Sequence, residues 1–239
     1  VTFTSIHDDS IGGDTLADGD ESTPNGLDWG GIYVNSESPL NCSLQIDHAV
    51  LRYGGGETQG IIDVNTPRLS LNHATVEYSR DHGLQVVFTS TAENHASMQI
   101  QNCRFQLNQT SGIYMQGNEN SAVPIIQNCE FTDNEDFAIQ LLGNVFPDFN
   151  NSNDALPSST GIQGIAIEGE LTSPGQLFRA GSELPYVLSG DYNIRSDLTL
   201  EPGTVIKGDD YWNSLRVLDG SLTAEGTPAQ PIVFTSLKD

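Results

Sequence analysis

One pattern of apolar and polar residues occurs four times between Ile46 and Leu142, and it limits the folds open to this chain more than any other feature. The four copies are Ile46-Asp-His-Ala-Val-Leu51, Leu71-Asn-His-Ala-Thr-Val76, Ile100-Gln-Asn-Cys-Arg-Phe105 and Ile126-Gln-Asn-Cys-Glu-Phe131. After each copy a second apolar segment begins, at Gly60-Ile61, Gly83-Leu84, Gly112-Ile113 and Ala138-Ile139. A repeat of about 25 residues indicates that each copy is one supersecondary unit stacked on its neighbours.

Apolar and polar side chains alternate within each copy, which is typical of a strand with one buried face. In the third copy, Ile100 and Phe105 lie on the opposite side from Gln101 and Arg104. No stretch has helical spacing over a dozen residues, so crossover helices are not expected. The sequence therefore predicts an all-β fold in which short strands pair with the strands of the next coil.

One position in the repeat holds residues that suit a sharp corner, namely His48, His73, Asn102 and Asn128. Asn tolerates left-handed backbone geometry, and its side chain hydrogen-bonds to nearby backbone. The next position holds small residues that fit a tight inward bend, namely Ala49, Ala74, Cys103 and Cys129. We therefore predict that the corner side chains form a ladder along the axis of the stack.

Two pairs in this ladder have chemistry of their own. His48 and His73 are potential metal ligands, but two ligands alone make a poor site, so a ladder without metal is the favoured interpretation. Cys103 and Cys129 are stacked neighbours, and they form either a disulfide or, as we favour, two free thiols that pack as small hydrophobic groups. With Cys42 the number of cysteines is odd, so at least one thiol has no partner within the chain.

The pattern Ile-x-Asn-Cys-x-Phe followed by Gly-Ile-x-Met resembles the repeats of right-handed parallel β-helix proteins, which share the fold of pectate lyases. The resemblance covers residues 46–144. It implies a right-handed parallel β-helix, or β-solenoid, with coils of about 25 residues and no significant helix. It implies little about function, because this solenoid carries many functions.

The chain is predicted to consist of two parts. Residues 1–175 form β-helix coils, with an acidic Gly-rich loop at 8–26 and a long excursion at 145–160. Residues 176–239 form further rungs that resemble the start of a next solenoid unit in large secreted bacterial proteins, through segments such as Gly203-Thr-Val-Ile-Lys207.

The two ends of the chain resemble each other, since Ile232-Val-Phe-Thr-Ser-Leu-Lys-Asp239 parallels Val1-Thr-Phe-Thr-Ser-Ile-His-Asp8. This match predicts a fragment of a longer tandem array, with neighbouring solenoid units or copies of itself as partners. A chance match of a common strand motif is the alternative.

The net charge of −23, from 32 acidic and 9 basic residues, limits the partners of the chain. Such a chain repels nucleic acid and anionic membranes, because phosphate binding needs Lys and Arg. No apolar run is long enough for membrane insertion. Divalent cations are the natural partners of so many carboxylates, and a purely solubilising surface is the alternative. The many Asn, Ser and Thr with few Lys suit a secreted or cell-surface bacterial protein.

The acidic loop is the predicted metal site, with Ca²⁺ as the ion. Asp14, Asp18, Asp20 and Glu21 lie within eight residues, and Asp8, Asp9 or Asp28 are further residues able to complete the shell. Calcium takes six to eight oxygen ligands, which a flexible loop of carboxylates supplies. The segment from Asp14 to Gly19 resembles the Asp-x-Asn-x-Asp-Gly calcium loop, although Leu16 stands where a ligand belongs. A solvated acidic turn is the alternative.

A catalytic set is harder to find. Polysaccharide lyases on this fold use calcium-bound carboxylates and a basic residue, and hydrolases use paired aspartates. The only suggestive cluster is Asp81-His82, in a turn before a strand where Asp and Gly are common for structural reasons. Because no acid–base pair is evident, the prediction leans towards a protein that is not an enzyme.

Two functions remain open from the sequence. The first is a non-enzymatic stalk, adhesin or filament unit, stabilised by calcium and associating end to end. The second is a carbohydrate-active module, resembling a polysaccharide lyase or hydrolase or binding glycans. A row formed by Gln85, Tyr114 and Gln140 on neighbouring coils is a possible glycan-binding face, with a plain polar sheet face as the alternative.

Overall fold

The protein is a right-handed parallel β-solenoid of about seven turns. The computed structural model describes residues 1–19, 21–35, 42–65, 68–88, 98–181 and 184–239, with only the backbone at 118–121. None of these residues lies in a helix, and successive coils are about 26 residues apart. The predicted fold class is therefore confirmed.

The strands form three parallel sheets. The first sheet contains β1 (Thr2–Phe3), β3 (Leu44–Arg52), β5 (Leu69–Glu77), β7 (Gln99–Gln101), β8 (Arg104–Gln106), β10 (Ile125–Gln127), β11 (Glu130–Thr132) and β13 (Asp154–Ala155). The second contains β2 (Ile32–Val34), β4 (Gly60–Val64), β6 (His82–Phe88), β9 (Ile113–Ala122), β12 (Phe137–Val145), β14 (Ile162–Leu171), β16 (Tyr186–Ile194), β18 (Val205–Gly208), β19 (Leu215–Val217) and β21 (Val233–Ser236). The third contains β15 (Gly175–Leu177), β17 (Leu198–Leu200) and β20 (Leu222–Ala224).

The strand register matches the sequence repeat. Ile46, Leu71, Ile100 and Ile126 are successive partners, and so are Leu51, Val76, Phe105 and Phe131. All eight side chains are buried in the core, where each contributes about 1.5–3 kcal/mol. In the second sheet, Ile62 is the partner of Leu84, and Gly60 pairs with His82. Since Ile61 and Ile62 are both buried, the apolar pattern alone did not fix this register.

The predicted corner, called the first corner below, is present. His48, His73, Asn102 and Asn128 all have left-handed backbone, with φ between 49° and 55°. A chain of amide hydrogen bonds runs along this edge: Asn128 donates to Asn102 (3.3 Å), Asn102 to Asn72 (2.8 Å), and Asn72 to the Asp47 carboxylate (2.9 Å). The next residues, including Cys103 and Cys129, are buried, and both thiols are free, as favoured from the sequence.

A second corner was not predicted. Tyr53, Tyr78, Leu107 and Asp133 also have left-handed backbone, with φ between 51° and 61°. The residue that follows is buried and polar on three successive coils, namely Ser79, Asn108 and Asn134. Asn108 accepts a hydrogen bond from the Ser79 backbone N–H (3.1 Å) and donates to Asn134 (2.8 Å). These side chains hydrogen-bond to the inner backbone of the bend, which water does not reach.

Part of the segment 145–160, for which the sequence suggested an excursion, packs on the solenoid. Phe146 and Phe149 are buried, and β13 pairs with β11. Asn153 is fully buried, donates to the Ile126 carbonyl (2.8 Å) and accepts from the Cys129 N–H (2.9 Å). Aromatic packing thus replaces the aliphatic repeat in this coil, which explains why the pattern is not visible in the sequence.

The matching segments at the two ends form the same turn. The Thr4 hydroxyl donates to Asp8, and the Thr235 hydroxyl donates to Asp239 (2.6 Å). In both turns a serine oxygen accepts a backbone N–H two residues later. The strands before the turns belong to different sheets, since β1 pairs with β3 and β21 pairs with β18.

Inward-facing side chains of the first and last rungs are partly exposed. Phe3 aligns with the buried Leu51 but is 39% exposed, and Phe234 aligns with the buried Ile206 but is 53% exposed. The apolar column of the core therefore continues to both ends of the coil stack.

Candidate functional site

The acidic loop brings three carboxylates together. Ligand atoms of Asp9, Asp14 and Asp18 all lie within 4.8 Å of one another. The Asp14 carboxylate accepts hydrogen bonds from the backbone N–H groups of Gly19 (2.9 Å) and Asp18 (3.1 Å), which lower the pKa of Asp14. Asp18 Oδ1 is buried and has no hydrogen-bond partner among the described residues. This arrangement can offer several oxygens to a cation.

The other predicted metal ligands have different surroundings. Asp8 is buried and forms an ion pair with Arg52 (2.5 Å), and hydrogen bonds from Ser10 and Thr4 lower the pKa of Asp8 although desolvation opposes them. Asp28 accepts hydrogen bonds from Asn25 and Ser5.

Two further residues complete the predicted set. Glu21 is exposed and does not belong to the three-carboxylate group, and Asp20 lies outside the described residues. The structure therefore brings together Asp14 and Asp18 from the main prediction, with Asp9 from the additional residues.

Asp81 and His82 are part of a local hydrogen-bonded cluster. The Thr110 hydroxyl lies 2.7 Å from His82 Nδ1 and 3.0 Å from Asp81 Oδ1. The Ser111 backbone N–H donates to His82 Nδ1 (3.3 Å), so the ring proton of the neutral imidazole is assigned to Nε2, 3.6 Å from Asp81. Burial lowers the pKa of His82, against the opposing charges of Asp81 and Asp136. These groups satisfy one another at the turn that leads into β6.

The predicted polar row is present beside this cluster. Gln85, Tyr114 and Gln140 are register partners on adjacent coils, and the Tyr114 ring stacks on His82 with centroids 4.8 Å apart. Gln85 is buried and donates to Gln59 (2.9 Å). Burial raises the pKa of Tyr114, with a smaller contribution from Glu168. The row is therefore packed closely against its neighbours.

A groove that was not predicted lies along the second corner. Its volume is about 390 Å³. The rings of Tyr53 and Tyr78 stack with centroids 4.9 Å apart, and the guanidinium of Arg52 lies 5.4 Å from the Tyr53 ring. Other side chains along the groove are Leu107, Gln109, Asp133 and Glu135. Recurrence of Tyr53 and Tyr78 at one position in adjacent coils is the sequence signal that identifies the groove.

Comparison with known proteins gives one match. Residues 20–154, more than half of the chain, match a family model described as a right-handed β-helix region. Neither the search of curated proteins nor the search of solved structures found a significant match. Within the described residues, no helix has the length and apolar character needed to cross a membrane.

Proposed function

Because the chain belongs to the right-handed β-helix family, we propose that it is a non-enzymatic structural and adhesive module of a secreted or cell-surface bacterial protein. The observation that carries this proposal is the apolar column that reaches both ends of the coil stack. Phe3 at one end and Phe234 at the other lie where a further coil would cover them. Strands β1 and β21 are edge strands, which can pair with another strand.

The partner we propose for these ends is another β-solenoid, either a neighbouring unit or a second copy of this chain. Repeats of a solenoid contact only their neighbours, and an exposed final repeat normally needs a polar cap for solubility. Stacking of a second coil on Phe234 would bury a large apolar side chain, which is worth about 1.5–3 kcal/mol. Repeated end-to-end stacking produces a filament, because such a contact does not close.

Light scattering against protein concentration tests the stacking. We expect the average mass of the 239-residue chain to rise with concentration and Phe234→Lys to reduce this rise. Val123→Lys is the matched control, since Val123 is an exposed side chain (38%) away from the end rungs. A monodisperse monomer at millimolar concentration, or equal effects of both substitutions, would contradict stacking of a second copy of this chain and leave a neighbouring unit as the only partner proposed.

We further propose that Ca²⁺ stabilises the acidic loop through Asp9, Asp14 and Asp18. The support is the convergence of the three carboxylates and the buried Asp18 Oδ1, which has no hydrogen-bond partner among the described residues. A ligand at one hundred times its Kd stabilises the folded state by about 2.7 kcal/mol, which raises the melting temperature by several degrees.

Thermal melting at constant ionic strength, with NaCl replacing CaCl₂, tests this proposal. Asp18→Asn should abolish the rise in melting temperature, whereas Glu225→Gln, which removes an equal charge from an exposed position far along the chain, should retain it. A melting temperature that changes with neither calcium nor chelator would contradict the proposal.

Glycan binding is the second candidate function. The observation in its favour is the groove at the second corner, which combines stacked tyrosines with the polar side chains of Gln109 and Glu135. Such a mixture of aromatic and convergent polar groups is typical of small-molecule sites. Retention on a glycan matrix that Tyr78→Ala abolishes would favour this function over a purely structural one.

A further inference from the structure

The corner ladder places two histidines and an aspartate together on the outside of the first sheet. The imidazole rings of His48 and His73 stack with centroids 4.4 Å apart and an interplanar angle of 24°. Asp47 Oδ1 lies 2.8 Å from His48 Nδ1 and 3.6 Å from His73 Nδ1. One ligand atom from each residue lies within 4.8 Å of the other two.

The backbone determines this arrangement. Asp47 pairs with Asn72, and Ala49 pairs with Ala74, so the residues between these pairs lie on adjacent coils. The left-handed backbone at His48 and at His73 turns both side chains outward, where they are 71% and 49% exposed. The strand pairing therefore places the two imidazoles side by side. Stacking of the rings follows from this placement and is not its cause.

The residue types differ from those of the next two coils. Asn102 and Asn128 occupy the same corner there, and Asn suits left-handed backbone well. The position before the corner holds Asp47 in the first coil and Asn72 in the second, and Asp47 supplies a carboxylate where Asn72 supplies an amide. Histidine and aspartate thus occur together at one place where asparagine would satisfy the fold.

We propose that Asp47, His48 and His73 form a binding site for Zn²⁺ or a chemically similar divalent transition metal. Two imidazole nitrogens and one carboxylate oxygen are ligands that such metals prefer, whereas calcium prefers oxygen alone. Three protein ligands leave at least one coordination position for water or an outside ligand. Because the ligands come from adjacent coils, the bound metal links the two coils.

The ladder itself supplies the variants for a test. The double variant His48→Asn/His73→Asn places at both histidine positions the residue that the next two coils have there, Asn102 and Asn128. The variant Asp47→Asn places at the position before the corner the residue that the second coil has there, Asn72. Circular dichroism and melting in a chelator establish that each variant folds. If the double variant does not fold, Asp47→Asn alone decides the outcome.

Isothermal titration with Zn²⁺, in saturating Ca²⁺ to occupy oxygen-only sites, measures the stoichiometry. We expect the double variant to bind one Zn²⁺ fewer than the unmodified chain and Asp47→Asn to bind at least tenfold more weakly. Binding should also weaken by at least tenfold between pH 7 and pH 5, because protonated imidazole does not ligate metal. Histidine NMR resonances of His48 and His73 should shift with Zn²⁺, while those of His82 should not.

Two results would overturn the proposal. One is equal stoichiometry and affinity for the unmodified chain and the folded double variant. The other is a Zn²⁺-dependent shift confined to histidines other than His48 and His73.

Discussion

His82 differs from the two corner histidines because its ring is enclosed. Its side chain is 13% exposed, whereas that of His48 is 71% exposed. His82 stacks on Tyr114 and accepts a hydrogen bond from the Ser111 backbone at Nδ1. Protonation of this nitrogen would break that bond. It would also place a charge in a buried environment, and this desolvation lowers the pKa of His82.

This environment predicts a pH dependence of stability. The unfolded chain takes up the proton at about pH 6.5, and the folded chain takes it up only at lower pH. Stability due to His82 is therefore fully present above about pH 6.5 and is lost as the pH falls towards the folded-state pKa. Urea denaturation from pH 7.5 to 5, in chelator, should show a steeper loss for the unmodified chain than for His82→Gln. His48→Gln is the control, and an equal loss in all three proteins would contradict the prediction.

At the scale of the element, the second corner depends on a buried row of polar side chains. Asn108 receives the Ser79 N–H at its oxygen, and its amide donates to Asn134 Oδ1 and to the Val76 carbonyl (3.3 Å). Asn134 in turn donates to the Phe105 carbonyl (3.1 Å). Removal of one member leaves buried groups of its neighbours without partners, at about 1–3 kcal/mol each.

Asn108→Ala should therefore destabilise the protein by roughly 3 kcal/mol or more. Asn102→Ala, at the exposed first corner, should cost about 1–2 kcal/mol, since it mainly loses the preference of Asn for left-handed backbone. Equilibrium urea denaturation of both variants measures the difference. Equal destabilisation would show that the buried row does not carry the second corner.

The two corners also show how far sequence reasoning reaches. The first corner is predictable from the sequence, because Asn favours left-handed backbone and Asn102 and Asn128 both adopt it. The second places Tyr53, Tyr78 and Leu107 in the same conformation, against their preferences, because the buried row and the strand pairing determine the bend.

The same limit applies to the candidate sites. The acidic residues of the loop were visible in the sequence, but which of them converge depends on tertiary contacts, as the ion pair between Asp8 and Arg52 shows. The contribution of Asp47 beside His48 and His73 follows from the spacing of adjacent coils. Local propensity contains neither kind of information.

At the scale of the whole molecule, the excess of carboxylates dominates the electrostatics. Some arginines form ion pairs with carboxylates of adjacent coils, namely Arg104–Glu130, Arg195–Asp219 and Arg216–Asp191. These pairs are solvent-exposed, and exposed ion pairs contribute only about 0–1 kcal/mol each. The net charge of −23 should therefore oppose compactness more than the pairs support it.

Monovalent salt should consequently stabilise the fold. Raising NaCl from 0.01 M to 1 M shortens the screening length from about 30 Å to about 3 Å, which weakens the net repulsion. We expect the melting temperature to rise by a few degrees, measured by circular dichroism in a chelator and checked with KCl. A lower melting temperature would mean that the ion pairs between coils outweigh the repulsion.

Pairing between adjacent coils also has a consequence for folding kinetics. Because successive coils are about 26 residues apart in a chain of 239, typical long-range partners are separated by about one tenth of the sequence. A relative contact order of about 0.1 is characteristic of helical bundles rather than of β-sandwiches. Nucleation can therefore occur at any well-packed coil and proceed in both directions, with each finished coil serving as the template for the next. During synthesis, the chain can add coils in the order in which they leave the ribosome.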